Sequence, residues 1–91
     1  MPKVVLTHGV VDIDRWLRGK AERAAAIESA FGSNVVTDYV AHDGSTNVAV
    51  TADVEDVEAV QVMLASPPPD VLALMEQHGV VPPITAYVAV D

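Results

Sequence analysis

The stretch NVVTDYVAHDGSTNVAVTA, residues 34–52, decides the fold. Two runs rich in valine and threonine flank Asp43-Gly44, a pair that favours a tight reversal between antiparallel strands. The spacing predicts one strand from Asn34 to His42 and a second from Asn47 to Ala52, with Val48, Val50 and Ala52 sharing one face. A hairpin at the centre of a 91-residue chain leaves room for one strand and one helical region on each side.

Upstream, Val4, Leu6, His8 and Val10 alternate with Val5, Thr7 and Gly9, a strand with one face more apolar than the other. Asp12 or Asp14 offers a helix N-cap. From there Ile13, Trp16, Leu17, Ala21, Ala24, Ile27 and Phe31 form one apolar stripe, closed by Gly32. Gly19 is the point where this helix can break into a short turn and a longer piece. Downstream, Asp53 is a cap for a second helix with Glu55, Asp56 and Glu58 in its first turn and Val54, Val57, Val60 and Leu64 as its stripe. Ser66-Pro67-Pro68-Pro69 interrupts it, and Ser66 with Pro67 at the first helical position restarts it. Val71, Leu74, Met75 and His78 follow at helical spacing, Gly79 stops the helix, and Ile84 to Val90 is the last strand.

The order strand, helix, strand, strand, helix, strand predicts a single α+β domain over residues 1–91. Right-handed crossovers then give a ferredoxin-like βαββαβ fold with an antiparallel sheet in order 4-1-3-2 and both helical regions on one face. The opposite face would carry Val5, Thr7, Val35, Thr37, Tyr39, Ala49, Thr51, Thr85 and Tyr87, too apolar for water alone. A second copy is its expected cover, with Tyr39, Thr51 and Tyr87 in the dimer core.

Composition bounds the function. Hydrophobic residues make up 51% of the chain, which argues against disorder. The absence of cysteine removes disulfides, thiol catalysis and thiolate metal sites, and suits a reducing compartment. A net charge of −8 argues against nucleic acid. The longest uncharged stretch, Gln77 to Val90, is cut by Pro82-Pro83 and is too short for a membrane span, so a cytoplasmic protein is expected. All five basic residues, Lys3, Arg15, Arg18, Lys20 and Arg23, fall in the first 23 positions. They read either as the solvated face of an amphipathic helix or as cations that meet an acidic partner or an anionic ligand.

Asp12-Ile13-Asp14-Arg15-Trp16, Ala65-Ser66-Pro67 and Met75-Glu76-Gln77-His78-Gly79-Val80 together resemble a small subfamily of the dimeric α+β-barrel, ferredoxin-like superfamily. That superfamily includes antibiotic-biosynthesis monooxygenases that need no cofactor, polyketide cyclases and haem-degrading enzymes. The resemblance spans nearly the whole chain and implies a homodimer with a pocket between sheet and helices. Its motifs are caps, a restart and a stop, so it implies no particular reaction. Some haem-degrading members ligate iron through a second-helix histidine, which His78 would match. Their strand-one Asn is His8 here and no strand-borne Trp matches theirs, so neither haem nor any other cofactor is expected.

The candidate site is built from His8, His78 and Trp16. Histidine is the only side chain whose ordinary titration falls near neutral pH. In the predicted topology His8 ends strand one, His78 ends the second helical region and Trp16 opens the first, all at one pole of the domain. His42 lies on the far hairpin. His8 reads as a buried imidazole bonded to the backbone or as a pocket-lining polar group. For a metal site, Asp12 or Asp14 would have to complete a His8–His78 pair, and no spacing motif supports it, so none is expected. His78 reads as a helix C-cap or as a pocket group, and Trp16 as core or as an indole wall at the pocket mouth. Ser29, Ser33, Ser45 and Ser66 have no base in reach.

Two functions remain. In one, an apolar small molecule, aromatic or polyketide-like, is bound or transformed in a homodimer, with His8 as acid/base or orienting group, His78 as its partner and Trp16 as the wall. In the other, the dimer is a non-catalytic binding or interaction module whose interior is filled by its own side chains. A void of about 300 Å³ or more lined by His8 and Trp16 favours the first.

Overall fold

The computed structural model describes residues 2–32 and 35–90. Strand β1 (Lys3–Val10) leads into α1 (Ile13–Arg18) and α2 (Lys20–Phe31). The hairpin β2 (Val36–Val40) and β3 (Asn47–Asp53) follows, then α3 (Val57–Ala65), α4 (Pro69–Gln77) and β4 (Val80–Val88). The sheet order is β2-β3-β1-β4 with every pair antiparallel, the 4-1-3-2 order read from the other edge. Asn34, the expected start of β2, lies outside the described residues, as does Ser33.

Alternation decides what each face meets. The register pairs Val4 with Ala52, Leu6 with Val50 and His8 with Val48, so all six share the face under the helices. Val4, Ala52 and Val54 pack there with Phe31 of α2 and Val60 of α3, while Val10, Val48 and Val50 pack with Trp16 of α1. Val5, Thr7, Tyr39, Ala49, Thr51, Thr85 and Tyr87 point the other way, and Tyr39 and Tyr87 remain 49% and 57% exposed.

Local chemistry sets the boundaries. Asp12 is the cap of α1, its Oδ1 accepting from the N–H groups of Asp14 and Arg15 at 2.9 and 3.3 Å. Gly19 breaks the first helical region, and α2 ends on Gly32 at φ 69°, a left-handed conformation that favours glycine. Several expected boundaries move. β2 ends at Val40 rather than His42. Asp53 does not cap the second helical region, because the chain stays extended through Val54, whose N–H donates to Pro2 O at 2.9 Å; Asp56 caps α3 instead. The restart is not at Ser66-Pro67, because Ser66 N–H still closes α3 on Val62 O at 3.0 Å; α4 begins with Pro69 after a Pro68 cap. The last strand begins at Val80 rather than Ile84 and ends at Val88. Its ladder to β1 shifts register between Thr7 and Gly9, so Pro82-Pro83 sit in an irregularity where no ladder donor is needed.

Candidate functional site

His8 stands opposite that irregularity. From Val4 to Val10 it is the one β1 residue without a β4 partner, and its inner-face neighbour is Val48 of β3. Its side chain is half-buried and its ring meets Trp16 edge-on, centroids 6.1 Å apart at 77°. His8 Nδ1 is 2.8 Å from Gly9 O. A carbonyl only accepts, so Nδ1 carries the proton and Nε2 presents a lone pair. Burial pushes the His8 pKa below its ordinary value; the Gly9 bond opposes this and the Arg23 charge adds to it. His8 is therefore neutral at pH 7, with a basic nitrogen to offer.

His78 lies at the end of α4 and is buried. Its Nδ1 is 3.4 Å from Arg23 Nη1, and arginine only donates, so Nδ1 accepts and the proton resides on Nε2. Among the described residues that Nε2 has no hydrogen-bond partner; Glu22 Oε2 is 4.0 Å away. The imidazole occupies the notch left by Gly19, where a Cβ would stand 2.4 Å from Nε2. Burial first, then the Arg23 charge, pushes the His78 pKa down, against the pull of Glu22. The two histidines thus hold opposite tautomers.

The charge that acts on both is Arg23, for which the sequence left open a solvated basic face or a contact with an acidic partner or anionic ligand. It is buried instead. Nε and Nη2 meet Asp38 Oδ1 and Oδ2 at 3.4 and 2.8 Å, Nη1 donates to Trp16 O at 2.9 Å, and the guanidinium carbon lies 3.9 Å from the Trp16 ring centroid. The sequence did hold a signal. Asp38 falls between Val36 and Val40 on the inward phase of β2, opposite Val50, and an inward carboxylate requires a cation. Arg15 is also engaged, donating to Glu76 O at 2.7 Å and Gln77 O at 2.9 Å and so satisfying the last carbonyls of α4. That is the capping task expected of His78.

His8, His78 and Arg23 line one cavity of about 110 Å³ between the sheet and the helices. Its remaining wall is apolar, including Leu6, Phe31, Met63, Leu74 and Met75. Trp16 is 0% exposed and contributes nothing to this lining; the expected indole wall is instead a buried platform behind His8 and Arg23. The cavity falls short of the roughly 300 Å³ of an ordinary ligand site. On the outer face a groove of about 490 Å³ also reaches His8, between Thr7, Tyr39 and Thr85. His42 is exposed in the β2–β3 turn and takes no part. Among the described residues, no group of three or more His, Cys, Asp or Glu is placed to hold a metal ion. Among the described residues no helix is long and apolar enough to cross a membrane.

No protein-family model matches the chain, and no curated protein matches it. Solved structures do. A Bordetella bronchiseptica protein provisionally named an antibiotic biosynthesis monooxygenase superposes with a TM-score of 0.73 at 13% identity, covering 99% of this chain and 95% of that one. SnoaB of Streptomyces nogalater, a cofactor-independent oxygenase, gives 0.63 at 16% identity, over 99% and 93%. The chain has the ferredoxin-like fold of antibiotic biosynthesis monooxygenase proteins.

Proposed function

We propose that this chain is a homodimeric enzyme with a cytoplasmic small-molecule pocket, in which His8 removes a proton from a weakly acidic C–H or O–H group of an apolar compound. The observation that carries the reading is the His8 tautomer: Nδ1–H held by Gly9 O, leaving a neutral Nε2 as base beside an apolar cavity. Arg23 lines the same cavity, its guanidinium fixed by Asp38, His78 and Trp16 so that one Nη2 N–H remains as a donor for an oxygen of the compound. The resulting carbanion or enolate has two outcomes. With dioxygen as co-substrate, addition at carbon gives a hydroperoxide that loses water, so CH₂ and O₂ become C=O and H₂O. In a cyclase-like course, the enolate carbon attacks a carbonyl of the same molecule and the proton returns to the alkoxide. The likeness to SnoaB, a cofactor-independent oxygenase, supports the first.

Phenylacetone tests the shared step, since its CH₂ lies between a ring and a carbonyl. The protein in D₂O should accelerate deuterium uptake there, and His8→Asn should reduce the acceleration about 10²-fold or more, the span ascribed to one acid–base group. Exchange no faster than in buffer, or indifferent to His8, would refute the catalytic reading.

One observation favours a second reading. The cavity is small and Trp16 fills the adjacent interior, as in a non-catalytic dimeric interaction module. Exchange indifferent to His8, in a dimer that remains intact, is what that reading requires.

A further inference from the structure

The cavity joins three facts that bear on what can enter it: its size, its charge and the softness of its wall. At about 110 Å³ it is far larger than one water requires and somewhat smaller than the roughly 150 Å³ apolar cavity that accommodates benzene. Met63 and Met75 are the flexible part of the wall, and unbranched thioethers adjust to a modest excess of volume. A single ring therefore fits by side-chain adjustment alone. Three fused rings would need the helices to part from the sheet.

Charge selects further. An arginine in a pocket ordinarily points to an anionic ligand, and here it does not. Arg23 has five N–H groups. Two meet Asp38, one meets Trp16 O and one meets His78 Nδ1, leaving a single unassigned N–H on Nη2. The Arg23 and Asp38 side chains are 9% and 5% exposed, so the charge is already balanced inside the protein. Both histidines are neutral, their pKa values lowered mainly by burial. The site as a whole is electroneutral. A carboxylate entering it would lose its water and gain at most one donor, leaving a net buried charge. A neutral molecule with one oxygen meets no such cost.

We infer that the cavity between sheet and helices selects a neutral, apolar molecule of about one substituted ring, and rejects both anions and fused polycyclic compounds. This rests on the cavity being the ligand site of the proposed function. Its test needs no turnover. Methyl signals of Met63, Met75 and Leu64 are followed by NMR while the full chain is titrated separately with phenol, benzoate and anthrone, the first two being single-ring compounds of which phenol is neutral and benzoate anionic at pH 7. Phenol should shift these methyls saturably, benzoate at least 10-fold more weakly, and anthrone not at all. Ala26→Leu, which fills the cavity from α2, should weaken phenol at least 10-fold. Should that variant not fold, the ladder of three probes on the wild-type chain still decides the matter. Benzoate within 3-fold of phenol overturns the charge rule, anthrone binding as tightly as phenol overturns the size rule, and unsaturable phenol shifts overturn both. The catalytic reading fails separately: phenol selectivity with no His8-dependent exchange keeps this inference and removes the enzyme.

Discussion

The guanidinium carbon of Arg23 lies 3.9 Å from the centroid of the Trp16 ring, with Asp38 gripping the same guanidinium at 2.8 Å. The indole covers the cation while the carboxylate neutralises it, and α2 is thereby fastened to α1 and to edge strand β2. Truncating one partner leaves the other charged and buried, which typically costs about 3–5 kcal/mol. Asp38→Ala should lower the unfolding free energy by that order in urea. The double change Arg23→Met with Asp38→Leu should cost clearly less, since no orphan charge remains. Equal losses in the single and double variants would mean that packing, not charge, sets the cost.

Gly19 and His78 should behave as one unit. A Cβ at Gly19 would stand 2.4–2.6 Å from three atoms of a rigid, buried imidazole, so Gly19→Ala should cost about 1–3 kcal/mol by overpacking. Combining it with His78→Ala removes the clash. The double variant should be less destabilised than the sum of the two, with a coupling of at least about 0.5 kcal/mol. Additive losses would refute the contact.

Acid should weaken the fold before it protonates the carboxylates. His8 and His78 both have folded-state pKa values lowered from an ordinary 6.5, by burial above all. The unfolded chain then binds more protons between 6.5 and each lowered value, so stability is complete above 6.5 and declines as pH falls through that window. Urea midpoints at pH 7.5 and 5.5 should differ, and the difference should shrink in His78→Ala. Activity should persist through most of that window and fall only at its lower end, as pH passes the lowered folded-state pKa of His8, because a protonated His8 cannot accept a proton.

The exposed sheet face carries the association proposed here. The chain should sediment as a dimer at tens of micromolar, and Tyr39→Asp with Tyr87→Asp should convert it to a folded monomer. A wild-type monomer at that concentration removes the homodimer. Salt should matter less than the cluster of basic residues suggests, because Arg15 and Arg23 are committed inside their own chain. Arg18 and Lys20 are exposed beside Arg15, whose guanidinium already donates to the α4 carbonyls.

Short-range alternation made much of this legible. The pairing of Val48, Val50 and Ala52 with His8, Leu6 and Val4 follows from period-two patterning, and it is what turns His8 toward the helices. Arg23 was only half legible: the inward Asp38 asks for a cation, but which one depends on the helix break at Gly19, on Asp38 lying 15 residues further along the chain, and on Trp16 beneath the guanidinium. For Trp16 the stripe left core and pocket wall both open, since it says that a residue is inward without saying what stands in front of it; the side chain is core. The start of β4 was missed because prolines read as breakers, whereas on an edge strand they cost only ladder bonds that the irregularity there does not make.

Pro82 and Pro83 have a consequence outside the site altogether. Successive residues of a strand turn their N–H groups alternately toward the neighbouring strand and away from it. Two prolines in a row on edge strand β4 therefore remove one donor of each kind, whatever the local phase. A stray strand from another molecule, laid along this border, would find its hydrogen-bond register broken midway. In a last strand so sparing in charge, that interruption makes this border a poorer template for edge-to-edge pairing.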